Sequence, residues 1–148
     1  MKRILGAAAV VLCATTVAAQ TYHSGAGWEA FSPVKYEGGD AAQPVLGVLV
    51  LSDTTVGLYA CARKNCAEVT PQQQPFQGAA LLEIPITAIT GIRTTNRMAM
   101  PAYDDVVITY DRGTTVEAPL FRVSHLQAAA VDAKIRSRLS KLGGPDPR

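Results

Sequence analysis

Histidine is almost missing from this 148-residue chain, which holds only His23 and His125. An acyl-transfer triad needs a histidine held between a nucleophile and an acid. His23 lies close to the N-terminus expected after processing, His125 directly follows a helix-cap position, and neither stands in a G-x-S-x-G context. Cysteine is nearly as scarce, at three residues, so ligands for a metal are few. These absences read as no enzyme, no metal and no cofactor. An excess of one charge is also missing, since 14 Lys and Arg face 12 Asp and Glu. Without a basic face or stripe, nucleic acid is not an expected partner. No apolar run reaches the roughly 20 residues that a membrane-spanning helix needs, so no stable membrane span is expected. Internal repeats and low-complexity tracts are absent as well.

What is present begins with an address. Lys2 and Arg3 precede an apolar run from Ile4 to Leu12, and Val17-Ala18-Ala19 places small residues ahead of Gln20. That order reads as a secretory signal peptide over residues 1–19. The expected mature chain starts at Gln20, has 129 residues and works in the bacterial periplasm or outside the cell. Its formal charge is near zero once Lys2 and Arg3 leave. Cys13 leaves too; Leu12 before it is too large for a lipoprotein signal. Cys61 and Cys66 remain, and an even count in an exported chain favours a disulfide. Ala62 to Asn65 suit a four-residue hairpin loop that brings the two together. A redox or metal pair is the weaker reading, because such motifs usually space cysteines by two residues.

Residues 20–44 read as a lead-in packed on the domain. Glycine and proline interrupt it, yet Tyr22, Trp28, Phe31 and Tyr36 are four of the nine aromatic residues. Large aromatic surfaces seldom lie free in water, so this segment is expected as a latch, with a short strand at 29–36. From Val45 the pattern is β. Val45–Leu51 is an apolar, β-branched run, and Thr55–Ala62 alternates with Val56 and Leu58 on one face. Cys66–Val69 would return across the stapled hairpin, and 70–78 is a polar loop. Ala80–Ile84 and Ile86–Ile89 are strand material interrupted by Pro85, which predicts an edge or a bend. Gly91–Arg97, Val106–Tyr110 and Thr115–Val123 are further strands, the last two joined by a turn at Asp111-Arg112-Gly113-Thr114. Then the period changes. Ser124 and Gln127 make a capping-box pattern, Val131, Ile135, Leu139 and Leu142 form one helical stripe, and Gly143 stops it. Residues 143–148 read as a disordered tail. Strands first and one amphipathic helix last predict a mainly β, α+β protein: an antiparallel sheet or barrel covered by the helix. A β-sandwich with a terminal helix fits the same pattern less well.

Other candidate groups read as ordinary surface or core. Asp104 and Asp105 point to opposite faces of a strand, so they cannot act on one bond and read as a solvated strand end. Met98 and Met100 are too few for a copper site and suit apolar packing. Lys134, Arg138 and Lys141 form the outer face of the helix. Arg63 and Lys64 at the tip of the stapled loop are the best candidates for binding, with Arg93 and Arg97 as further candidates. A rigid basic tip presents charge at little ordering cost.

Gly47–Asp53 (GVLVLSD), Thr55–Ala60 (TVGLYA) and Ile84–Ile92 (IPITAITGI), followed by the 111–114 hairpin and the closing helix, resemble the pleckstrin-homology-like superfamily, particularly its GRAM and bacterial branches. The resemblance covers 45–142. It implies a partly open barrel of about seven strands capped by the C-terminal helix. It implies binding of phosphoinositides, peptides or proteins, or a scaffolding role. Phosphoinositide binders usually carry bases in the first hairpin loop, and Ser52-Asp53-Thr54 has none. The functional expectation is therefore an exported, non-enzymatic binding or adaptor domain whose partner is a protein or envelope component. It would use the 61–66 and 70–79 loops. A small-ligand or lipid carrier is the alternative, and it would require an apolar cavity.

Overall fold

The run Val45–Leu51 is apolar at nearly every position because both of its faces are buried. The computed structural model describes residues 19–25, 27–38, 43–96 and 102–147. Its strands are β1 (Gln20–His23), β2 (Glu29–Glu37), β3 (Val45–Leu51), β4 (Thr55–Cys61), β5 (Phe76–Pro85), β6 (Ile89–Asn96), β7 (Tyr103–Arg112), β8 (Thr115–Glu117) and β9 (Leu120–Ser124). Helix α1 (His125–Lys141) closes the chain. Every pairing is antiparallel, in the order β5-β4-β3-β2-β9-β7-β6, with β1 beside β2 and β8 beside β7. The fold is a curled, partly open barrel of seven strands capped by the C-terminal helix. On β3, Leu49 and Leu51 face the main core while Val48 and Val50 face a second cluster on the outside of the sheet. Such a strand loses the polar alternation of a half-exposed one.

The segment 20–44, expected as a lead-in, supplies two strands, and β2 joins the halves of the barrel. One side of β2 pairs with β3; the other pairs with β1 at Glu29–Ser32 and with β9 at Lys35–Glu37. A register shift between Phe31 and Val34 turns both side chains into the same core, which defeats a simple alternation rule. The sheet therefore begins before Val45.

The main core is lined by Phe31, Leu49, Leu58, Ile84, Ile108 and Phe121, all essentially inaccessible. Helix α1 packs on β6, β7 and β9 and inserts Ala128, Val131, Ile135 and Leu139. Leu142, the expected fourth member of the stripe, is exposed. The helix ends in a Schellman motif: Gly143 has φ +71°, Gly144 N–H donates to Leu139 O, and Gly143 N–H to Ser140 O. Its start differs from the expected capping box. Ser124 makes no side-chain cap, and Gln127 Nε2 instead donates to Gln20 O at 2.9 Å and Thr21 Oγ1 at 3.1 Å. A buried amide finds more acceptors on β1 than at its own helix end. Residues 143–147, read as a disordered tail, fold back on α1, where Arg136 binds Asp146 at 3.2 Å and the Pro147 carbonyl.

The helix's polar face is tied to the sheet. Lys134 and Arg138 both approach the Glu29 carboxylate of β2, Arg138 at 3.8 Å. Burial opposes the Glu29 charge, but Lys134 and Arg138 outweigh it and hold the carboxyl below its ordinary value. Replacing Ile135 by Ala removes an inaccessible side chain from the middle of this interface. It is expected to lower stability by about 2–5 kcal/mol, seen as a lower urea midpoint with an unchanged slope. Leu142→Ala, at an exposed position, should change it by less than about 0.5 kcal/mol.

Candidate functional site

Two surfaces concentrate exposed chemistry. The first is the stapled end of the barrel. Cys61 and Cys66 stand at disulfide distance, with Cα atoms 4.9 Å apart. The bridge does not close a hairpin, as the spacing suggested. Lys64–Cys66 is a single 3-10 turn, with Asn65 and Cys66 at φ 56° and 53°. The chain then runs irregularly over 67–75, and the strand that returns along β4 is β5. Pro71 and Pro75 in this stretch withhold two backbone donors from any ladder.

Beneath the turn lies the outer cluster. Ala30, Val48, Val50 and Cys66 are buried, with Tyr22, Trp28, Tyr59, Cys61 and Phe76 packed around them. The aromatic rings do converge: Trp28 stands edge-on to Phe76 at 5.2 Å, and Tyr59 lies 4.7 Å from Phe76. Gly57 makes room for Tyr59, since a Cβ there would meet the ring at 2.6 Å. The rings fill a small core, so Tyr22 and Trp28 act as structure, as the latch reading expected in kind though not in architecture.

Above this core, the Ala62 N–H donates to Pro75 O at 2.9 Å, and Arg63 Nη1 to Glu68 O at 3.1 Å. The 61–66 turn and the 67–75 segment thereby frame one recess of about 490 Å3 lined by Arg63, Val69, Thr70, Gln73 and Gln74. Lys64 is exposed beside it. The two loops singled out in the sequence thus come together. Arg93 does not join them. It is exposed on β6, the far end of the strand order, opposite Val107. Arg97, Met98 and Met100 lie outside the described residues.

The second surface is the barrel mouth, where an open cleft of about 590 Å3 is lined by Tyr36, Leu81, Leu82, Arg112, Glu117 and Pro119. Its polar floor comes from the β7–β8 hairpin. The turn at Gly113-Thr114 pairs Arg112 with Thr115, and so Tyr110 with Glu117. The Tyr110 hydroxyl donates to Glu117 Oε2 at 2.5 Å, and Arg112 Nη1 to Oε1 at 3.1 Å. These two bonds hold the Glu117 carboxyl below its ordinary value. Burial and the Glu117 bond push the Tyr110 phenol up to about 12. Burial, then the Glu117 charge, raises Tyr36 as well. Sequence reasoning passed over this group. The signal was there, because a tight turn at 113–114 dictates that 110 faces 117.

The two aspartates of β7 also depart from expectation. They do point to opposite faces, but neither is a solvated strand end. Asp104 is buried and bonds His125 Nδ1 at 3.0 Å. Asp105 bonds Arg122 at 3.0 Å, and Arg122 also reaches Glu37 at 3.0 Å. Asp104 and His125 are two groups, short of the three or four donors of a zinc site. Among the described residues, no cluster of three or more His, Cys, Asp or Glu is placed to hold a metal. No described helix is long and apolar enough to cross a membrane.

Two expectations follow. Replacing both Cys61 and Cys66 by Ser should cost about 2 kcal/mol, the chain-entropy value for so short a loop. It should also red-shift the emission of Trp28, the chain's one tryptophan. Unchanged emission would separate the turn from the outer cluster. At Tyr110, a pKa raised on folding favours the folded chain fully below the ordinary value of 10.0 and is lost as pH rises towards about 12. Wild-type stability should therefore fall relative to Tyr110→Phe across that window, measured by urea unfolding.

No family model matches this chain, and no curated protein matches it either.

Proposed function

We propose that this chain is an exported, non-enzymatic binding or adaptor module of the bacterial envelope, of pleckstrin-homology-like type. Its stapled end contacts a protein or another envelope component. One observation carries the reading: the 61–66 turn and the 67–75 segment share one recess, with Arg63 on its wall and Lys64 exposed beside it. A loop surface fixed on a rigid barrel is the usual place for recognition. The disulfide and the aromatic cluster beneath pre-order that surface, which lowers the entropy lost on binding.

The family resemblance is supported by the order of elements: a four-strand meander β2–β5, continued through β9, β7 and β6 in one curled sheet, and a covering helix. Export is supported by the two cysteines at bridging distance, since such bonds persist in oxidising compartments. Phosphoinositide is a poor candidate ligand. With β2 as the first strand of the meander, the sequence that joins it to β3, 38–44 (GGDAAQP), has no base, like Ser52-Asp53-Thr54. A carrier role is disfavoured by the interior, where Phe31, Leu49, Leu58 and Phe121 are buried inside the curled sheet.

The test is native mass spectrometry of the protein purified gently from its own cell envelope, beside the variant carrying Arg63→Ala and Lys64→Ala. A protein adduct on the wild type, reduced about tenfold in the variant at unchanged melting temperature, is the expected result. A lipid or small-molecule mass would move the assignment to a carrier. An adduct indifferent to the double substitution would remove the contact from this surface.

A further inference from the structure

The two ends of the strand order are treated differently by the rest of the chain. An edge strand presents a row of unpaired N–H and C=O groups, and proteins usually cover it or place charge on it. The edge at β6 is covered: α1 packs on it, and Arg136 Nη2 donates to Ile92 O at 3.2 Å. The edge at β5 is not. It pairs only with β4, carries no Lys or Arg from Phe76 to Pro85, and exposes Leu81. Its register is broken by a bulge. Residues 78–81 stand opposite Tyr59 there, between the Ala60–Gln77 and Leu58–Leu82 pairs.

The bulge leans toward the β7–β8 hairpin. The mouth cleft continues there into a recess of about 450 Å3, and both are lined by Leu81, Leu82 and Arg112. The charge along this groove is unbalanced. Arg112 is spent on Glu117. Glu83 and Asp111, on opposite walls of the recess, make no ion pair or side-chain hydrogen bond among the described residues. The groove therefore offers an unpaired strand edge, an apolar strip and two free carboxylates.

We propose that β5 is a docking edge for an extended peptide with alternating apolar and basic side chains, supplied by a partner protein. The peptide adds as a further strand beside β5. Its backbone takes up the free edge groups, its apolar side chains cover Leu82 on the core-facing side, and its basic side chains run beside the exposed Leu81 and pair with Glu83 and Asp111 on the outer side. Side chains alternate along a strand, so one peptide meets both requirements at once. This deepens the binding-module reading but uses a different surface from Arg63 and Lys64, so either can fail alone.

The probe is the blocked peptide Val-Lys-Val-Lys-Val-Lys-Val, titrated into the isotope-labelled protein and followed by amide NMR and calorimetry. Its counterpart with Glu in place of Lys is the control. Saturable shifts and new exchange protection confined to 78–85 and 110–113 are expected. Leu81→Lys should weaken binding by at least about tenfold at unchanged melting temperature, by placing like charge in the groove. Glu83→Gln with Asp111→Asn should weaken it several-fold, and the Glu peptide should not bind. The proposal is overturned by no saturable binding, by equal binding of the Glu peptide, or by an unaffected Leu81→Lys variant. Shifts around Arg63–Gln74 instead would return recognition to the stapled end. A concentration-dependent dimer that protects 78–85 without peptide would assign the edge to a second copy of the chain.

Discussion

Backbone pairing along β2 carries the rest of the molecule, because this strand is hydrogen-bonded to both halves of the barrel. Each of its residues then serves a different layer. Phe31 and Val34 enter the main core, Ala30 enters the outer cluster, Glu29 receives Lys134 and Arg138 from the helix, and Tyr36 lines the mouth cleft. The register shift after Phe31 is what lets one strand meet these demands. It resets which side chains face inward partway along, at the point where the neighbour on one side changes from β1 to β9.

A nearly neutral chain has placed its charges in pairs that fix geometry. Arg122, mostly buried, is held by Asp105 on β7 and Glu37 on β2, one partner from each flanking strand of β9. Arg136 links Asp132, Asp146 and the carbonyls of Ile92 and Pro147. Removing one member of such a set leaves a charge without its counterpart, which costs more than the pair contributes. The charges outside these sets, among them Lys64, Arg93, Glu83 and Asp111, are the ones available to other molecules.

Much of the architecture was legible in the amino-acid order, for physical reasons. Continuous apolar runs, turn residues and a change of period from 2 to 3.6 gave an antiparallel barrel with a terminal helix, and Cys61 with Cys66. What misled was context. The strand expected at 29–36 is β2, but its central place in the barrel was hidden, because it is bulged around Pro33 and lies in a segment that read as a lead-in. Pro119 splits the final hairpin strand into β8 and β9 because it cannot donate to the ladder. Lys134 and Arg138 looked like solvent-facing charge until Glu29, about a hundred residues earlier, was placed beside them. Of the binding candidates, Arg63 was found where the loops meet; at the mouth cleft the 113–114 turn encodes Tyr110 opposite Glu117, whereas the approach of Tyr36 depends on tertiary closure.

Both ends of the described chain are fastened to the same element. Gln20 is held by Gln127 near the start of α1, and Pro147 by Arg136 further along it. Tension applied between those ends would load the bonds to Gln127 and Arg136 together with the β1–β2 ladder that pairs Gln20 with Ser32. The β5 edge lies beyond β3 and β4 from that ladder, so pull on the ends would reach it last.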